Sequence, residues 1–154
     1  VSVNISKETN PKDAIGSNKA PMSTLPAGVL AECGVAMLEG ALKYGKFNYR
    51  HAGVRASVYY DATMRHLMSW HEGEDIDPDS GLSHITKAIV SLMVLRDAMR
   101  NNMVTDDRPP RSNVGYDDLN AVVAGLIEKY GSVNPRHYTI GDSRGDADEE
   151  NRSL

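Results

Sequence analysis

AGVLAECGVAMLEGALKYG, the stretch over residues 27–45, decides the fold class. Its inward-facing apolar side chains recur every three or four residues, which is the period of an α-helix with one buried face. They are Leu30, Cys33, Met37 and Ala41. Gly45 follows the last of them and predicts the end of the helix. The same period predicts three more helices, over residues 54–71, 82–100 and 116–129.

The remaining segments flank or connect these helices. Residues 1–26 contain three prolines and no helical period, so we predict an extended N-terminal arm. A helical bundle domain then spans residues 27–130, and residues 131–154 are predicted to form a disordered acidic tail. No segment shows a competing strand pattern. The fold class is therefore all-α, an antiparallel helical bundle with short connections.

Composition excludes several classes of protein. The 154 residues carry 17 Lys and Arg against 21 Asp and Glu, a net charge of −4, which argues against binding nucleic acid by bulk charge. A single cysteine excludes an internal disulfide, and no apolar run is long enough to span a membrane. The N-terminus lacks an apolar signal core, so we expect a cytoplasmic protein. Wide apolar helix faces predict that it self-associates.

Two helices carry candidate metal ligands. Glu32 and Glu39 lie seven residues apart on one face of the first helix, where two carboxylates can bind a hard cation such as Mg²⁺. The alternative is a solvated polar stripe. Asp61 lies among apolar residues of the second helix, an unfavourable place for a carboxylate without a partner or a metal. The alternative there is an ion pair between Asp61 and Arg65, one turn apart.

A hairpin of the first two helices would bring these groups together. If the chain turns around residues 46–53, Glu39 faces Asp61 and Glu32 faces His66. Lys43 and Arg65 would lie along the same seam. Acids that bind a metal beside cations that bind phosphate oxygens favour a site for a metal-bound phosphate chain.

The loop EGEDIDPDSG, residues 72–81, is strongly acidic. Its alternating aspartates resemble a calcium-binding loop, but Pro78 interrupts the pattern and its twelfth position is Thr86 rather than glutamate. We therefore interpret the loop as a helix end and turn, with Asp79 as the cap of the third helix. The remaining acids of the loop could hold a second metal, with Asp75 as the candidate ligand; the others are Glu72, Glu74 and Asp77. His84 lies at the edge of an apolar stripe and is interpreted as a packed, hydrogen-bonded residue.

Three groups of residues together resemble the phage dATP/dGTP diphosphohydrolases, called MazZ, of the MazG-like all-α pyrophosphatase superfamily. They occur in matching order and at matching spacings. The segments are NPKD at 10–13, EGALKYG at 39–45 with Asn48, and RHL at 65–67 leading to GEDIDPDSG at 73–81. The resemblance covers roughly residues 9–100. It departs from the superfamily's paired acids, E-E-x-x-E and E-x-x-D, because the first helix offers only two glutamates.

The resemblance implies a reaction and roles for residues. A purine deoxynucleoside triphosphate, dGTP or dATP, is hydrolysed to the monophosphate and pyrophosphate, with Mg²⁺ or Mn²⁺ required. Such enzymes are understood to supply dGMP in phages that use 2-aminoadenine, and they act as homodimers or homotetramers. The residues expected to be catalytic are Glu39, Asp61 and Arg65. The expected metal ligands are Glu39, Asp61, Glu32 and Asp75. The expected nucleotide-binding residues are Asn10, Lys12, Asp13, Lys43, Asn48 and His66.

Two other classes of function remain open from the sequence. The first is a helical bundle that binds nucleotide or a partner without catalysis. It requires a structural role for Asp61 and a solvated acidic stripe on the first helix. The second is a calcium-binding regulatory bundle built on the acidic loop at residues 72–81.

Overall fold

The computed structural model describes residues 10–143, and six α-helices dominate this range. They are α1 (Pro11–Gly16), α2 (Ala27–Tyr44), α3 (Asn48–His51), α4 (Ala56–His71), α5 (His84–Arg100) and α6 (Tyr116–Tyr130). The shorter elements are β1 (Val54–Arg55), β2 (Val104–Thr105) and a 3₁₀ turn at Ile140–Asp142. The predominantly helical fold is thus confirmed. The antiparallel bundle arrangement stays a prediction.

The chain forms two compact units. The first ends at Asp106 and contains α1 to α5 with both strands. The second begins at Asp107 and contains α6. The helical domain predicted over residues 27–130 includes parts of both units, and its bounds stay a prediction. Of the predicted acidic tail, residues 144–154 lie outside the described residues.

The extended conformation predicted for the N-terminal arm is wrong at α1. Pro11 occupies the first helical turn, where its missing N–H costs no hydrogen bond. The Asn10 side chain caps the helix by accepting a hydrogen bond from the Lys12 backbone N–H at 3.0 Å. These two local signals overcome the absence of an apolar period. Residues 1–9 of the arm lie outside the described residues.

Helix α5 organises the first unit, because α2, α3 and α4 all pack against it. One buried cluster joins Cys33 and Ala36 of α2 to Val90 of α5. A second cluster joins Tyr49 and Val54 to the C-terminal half of α5. Small residues at these contacts allow the helices to approach closely, as with Ala98, which is fully buried. The N-terminal half of α5 therefore lies beside α2, α4 and the acidic loop.

A short parallel strand pair joins the start of α4 to the chain after α5. Val54 pairs with Val104, and the Val54 N–H donates to the Met103 carbonyl oxygen at 2.8 Å. Gly53 has φ +78, and a Cβ there would lie 2.7 Å from that same oxygen. This turn therefore requires glycine. No strand was predicted, since two residues show no measurable alternation.

Apolar side chains remain exposed on several helices of the described range, among them α2, α4 and α6. Those of α2 include Val35, Leu38 and Leu42. Those of α4 include Val58 and Met68. In the described range, no helix combines the length and hydropathy needed to cross a membrane. The exposed apolar faces agree with the predicted self-association, which stays a prediction.

Candidate functional site

The N-terminal turns of α5 supply the centre of the site. Ser83 caps the helix, and its hydroxyl accepts a hydrogen bond from the Ile85 backbone N–H at 3.2 Å. The cap predicted at Asp79 is therefore wrong, because the acidic loop continues to Ser83 before the helix begins. His84 and Thr86 are buried beside this cap. Their side chains face groups from other elements rather than only apolar residues.

Glu39 of α2 lies between two lysines. Its carboxylate accepts hydrogen bonds from Lys43 at 2.6 Å and from Lys87 of α5 at 2.5 Å. Both bonds lower the pKa of Glu39 below its ordinary value. The same lysines approach the acidic loop, with Lys43 at 3.5 Å from Asp79 and Lys87 at 3.8 Å from Asp77. The carboxylate is thus ionised at neutral pH and surrounded by cations.

Glu32 lies seven residues before Glu39 on the same face of α2, and it also contacts α5. Its carboxylate accepts a hydrogen bond from the Thr86 hydroxyl at 2.8 Å. Both predicted acids of α2 therefore face α5. Helices α2 and α4, which the sequence predicts to pack directly on each other, both pack on α5.

A second group joins α4, the acidic loop and α5. The Nδ1 atoms of His66 and His84 lie 2.9 Å apart, and His84 Nε2 lies 2.6 Å from Glu74 Oε1. His66, Asp77 and His84 each place one ligand atom within 4.8 Å of the others, a grouping that can hold a metal ion. Burial lowers the pKa of His66, and the adjacent His84 lowers it further. The His66 ring is therefore favoured in its neutral form, which has a free lone pair.

A cavity of about 570 Å³ opens beside these groups. Its polar lining includes Glu39, Lys43, Asn48, His66 and Lys87. Its aromatic lining is Tyr44, Phe47, Tyr49 and Tyr59. The cavity thus has lysines beside acidic side chains in its polar lining and aromatic rings elsewhere in its wall. Such a lining suits a ligand with a phosphate chain and a flat base.

The structure brings together only part of the predicted site. Glu39, Lys43, Asn48 and His66 all line the cavity. The predicted nucleotide-binding residues of the arm do not line it. These are Asn10, Lys12 and Asp13, which lie at the exposed helix α1. Asp75 is exposed, and in the metal-binding group its place is taken by Asp77, two residues later.

Asp61 and Arg65 lie on α4 but do not line the cavity. Both are exposed, so the predicted burial of Asp61 among apolar residues is wrong for the described chain. The reason is that the neighbouring apolar residues Val58 and Met68 are themselves exposed. Within residues 10–143, Asp61 and Arg65 form no ion pair with each other or with another group. Glu39 lines the cavity and Asp61 does not, and their predicted pairing stays a prediction.

Two residues of the site are not predicted from the sequence. Lys87 lies outside every predicted group, and His84 is interpreted as a packing residue. Asp77 is one of the loop acids that the sequence leaves as possible ligands of a second metal. One available signal was the spacing of His84 and Lys87, which places them on one helix face directly after an acidic loop. Their convergence with Glu39 and His66 depends on which helices pack together.

Comparison with known proteins identifies the family of the residues that form this site. Residues 9–108 match the family described as dATP/dGTP diphosphohydrolase, N-terminal. The chain belongs to this family. The match includes every residue that lines the cavity and all three members of the metal-binding group. The predicted resemblance is thus confirmed, and the family's residues coincide with the first compact unit.

The chain is also similar to a protein from Salmonella phage PMBT28 that is named dATP/dGTP diphosphohydrolase. The two are 30% identical over 117 residues, which are 76% of this chain and 37% of the phage protein. The chain therefore spans little more than a third of that relative's length. No solved structure matches the chain significantly.

Proposed function

We propose that this chain hydrolyses purine deoxynucleoside triphosphates, dGTP and dATP, to the monophosphate and pyrophosphate. The observation that carries the proposal is the cavity within the family-matched residues, where Lys43 and Lys87 flank Glu39. Two ammonium groups beside one open cavity favour a polyphosphate ligand. The name of the phage relative supports the same choice of substrate.

The chain's own residues account for binding. Lys43 and Lys87 would exchange part of their pairing with Glu39 for phosphate oxygens, which also neutralises charge that develops during hydrolysis. The sequence predicts that Arg65 neutralises the phosphate charge. We assign this role to Lys87, because Lys87 lines the cavity and Arg65 does not. The aromatic wall would stack the purine, and the Asn48 side chain can donate to or accept from a base edge.

In the proposed reaction, water and a deoxynucleoside triphosphate give the monophosphate and pyrophosphate. The oxygen of water bonds to the α-phosphorus, the bond from that phosphorus to the α–β bridging oxygen breaks, and pyrophosphate leaves. The proton lost by the water passes to solvent. When bound, a divalent ion supplies charge neutralisation and a water of lowered pKa. Glu39 and Glu32 are the proposed ligands of Mg²⁺ or Mn²⁺ entering with the nucleotide. Both carboxylates face α5 at the N-terminal part of that helix.

Asp61 and Asp75 are weaker members of the proposed ligand set. Neither lines the cavity of the described chain; Glu32 does not line it either, but its carboxylate contacts Thr86 of α5. Asp61 lies on the exposed apolar face of α4, so we propose that it acts where subunits of a homodimer or homotetramer meet. In phages that replace adenine with 2-aminoadenine, the proposed reaction would supply dGMP and lower dATP.

Product analysis tests the proposal. Purified protein is incubated with dGTP or dATP, with Mg²⁺, Mn²⁺ or EDTA, and the products are separated by chromatography. We expect dGMP or dAMP with pyrophosphate, and none in EDTA. Release of single phosphate or of tripolyphosphate would contradict cleavage between the α and β positions. Intact triphosphates, with a melting temperature raised by dGTP and Mg²⁺, would favour the non-catalytic nucleotide-binding bundle instead.

A further inference from the structure

We propose that His66, Asp77 and His84 form a binding site for a divalent transition-metal ion of the Mn²⁺-to-Zn²⁺ series, with Glu74 positioning His84. The site is separate from the carboxylates Glu32 and Glu39. Its ligands come from α4, the acidic loop and α5, so it exists only in the folded chain.

The distance between the imidazoles fits a shared ion. His66 Nδ1 and His84 Nδ1 are 2.9 Å apart. Two nitrogens that each lie about 2.1 Å from one ion are separated by about 3.0 Å at the right angle of an octahedral site and by about 3.4 Å at the tetrahedral angle, so a shift of about 0.5 Å or less accommodates either geometry. Without an ion, one Nδ1 must donate a proton to the other. With an ion, both nitrogens direct lone pairs at the same point.

Glu74 sets the tautomer that metal binding requires. Its carboxylate lies 2.6 Å from His84 Nε2, so that nitrogen carries the proton and donates it. The lone pair of the neutral ring is therefore on Nδ1, towards His66. His84 is buried, with 4% of its surface exposed, and its ring cannot easily turn away. A carboxylate that orients a metal-binding histidine in this way is a common arrangement in metalloproteins.

Asp77 supplies the third, charged ligand. Lys87 is 3.8 Å from the Asp77 carboxylate but 2.5 Å from Glu39, so the lysine is held mainly by the glutamate. This leaves Asp77 able to bind a cation. His66 also lines the cavity, so the ion would lie at its wall, with coordination positions open to water or a ligand oxygen.

The ligand types select the metal. Imidazole nitrogen suits Mn²⁺, Co²⁺ and Zn²⁺ increasingly well, whereas Mg²⁺ prefers oxygen ligands alone. The proposal does not depend on nucleotide hydrolysis, because the three side chains are arranged without a nucleotide. Metal binding and turnover can therefore be tested separately.

The test is titration of the full, metal-stripped chain with Co²⁺ and with Zn²⁺, in the absence of nucleotide. Visible Co²⁺ absorption reports nitrogen ligation, and calorimetry with Zn²⁺ gives affinity and stoichiometry. We expect one ion per chain, tighter binding of Zn²⁺ than of Mn²⁺, and no displacement by a large excess of Mg²⁺. No binding by the folded chain, or displacement by Mg²⁺, would overturn the proposal.

Variants identify the ligands. Asp77→Asn and His66→Gln should each weaken binding roughly tenfold or more, and Glu74→Gln should weaken it while leaving the stoichiometry unchanged. His51→Ala is the matched control, since His51 is exposed and outside the group.

Circular dichroism checks that each variant folds. Asp77 and Glu74 are less buried than His84, so their variants decide the matter if His84→Ala does not fold. Unchanged affinity in folded Asp77→Asn and His66→Gln would refute these ligands.

Discussion

Lys87 of α5 donates a hydrogen bond to Glu39 of α2, with 2.5 Å between Nζ and Oε2. The two residues are 48 positions apart in sequence. Their contact joins the helix that carries the predicted acids to the helix that carries the histidine and lysine of the site. It also places the ammonium group of Lys87 at the cavity, in the role that the sequence predicted for Arg65.

The first prediction concerns Lys87. Lys87→Met keeps most of the aliphatic stem but removes the charge, so we expect the chain to fold and kcat/KM for dGTP to fall roughly 10- to 100-fold. Steady-state kinetics on the purified variant measure this. Lys129→Met in α6 is the control, because Lys129 lies in the other compact unit. Equal kinetics for the two variants would remove Lys87 from phosphate binding.

The second prediction concerns Asp61. The carboxylate is exposed and unpaired within the described residues, so Asp61→Asn should leave the melting temperature nearly unchanged. Since Asp61 is proposed as a metal ligand at a subunit contact, turnover should fall by roughly tenfold or more. Calorimetry and product analysis on the same preparation measure both. Full turnover in the folded variant would exclude Asp61 from the mechanism.

The third prediction concerns pH and the ion pair of Arg50 with Asp97. Two hydrogen bonds, at 2.7 and 2.8 Å, join the guanidinium to the carboxylate and lower the pKa of Asp97 below its ordinary 3.8. A lowered folded-state pKa stabilises the fold above the unfolded-state pKa, and this stabilisation is lost as pH falls through the folded-state value. Asp97→Asn should therefore lower the free energy of unfolding at neutral pH, with a difference that shrinks below pH 3.8.

Urea unfolding at several pH values tests this effect. A double-mutant cycle with Arg50→Gln gives the coupling between the two side chains. The double variant should be little less stable than either single variant at neutral pH. Strictly additive effects, or a difference from wild type that does not change with pH, would show that the pair contributes nothing.

The fourth prediction concerns self-association. Leu42 is 79% exposed on the outer apolar face of α2, although such a face is normally covered in a stable protein. We expect a homodimer or homotetramer by light scattering, and a lower mass for Leu42→Glu. Asn120→Glu, at an exposed polar position, should keep the wild-type mass. A monomeric wild-type chain at high concentration would contradict the prediction.

The fifth prediction concerns Gly53. Its positive φ and its approach to the Met103 carbonyl both disfavour a side chain, so Gly53→Ala should cost about 1–3 kcal/mol of stability. Gly28→Ala, in a helical glycine position with open space, should be neutral or stabilising. Chemical unfolding measures both variants. Equal stability of the two would mean that the turn before β1 relaxes at no cost.

Local sequence was sufficient for most helices. The apolar period of residues 27–45 predicted α2, which ends at Tyr44, and the other predicted helices also occur. Helix formation depends on neighbours three and four residues apart, so such signals are visible in one sequence. The sequence does not predict α1, because six residues are too few to show an apolar period and the only local signals are Pro11 and the cap at Asn10.

The family was also determined by sequence, because short motifs such as EGALKYG carry it without reference to packing. The site was decided by the tertiary structure. The prediction paired Glu39 with Asp61 on the assumption that consecutive helices pack directly. In the fold α5 contacts α2 and α4, so Glu39 meets Lys87 and His66 meets His84. Which helices become neighbours depends on burying apolar surface across the whole chain, a non-local sum that no single segment contains.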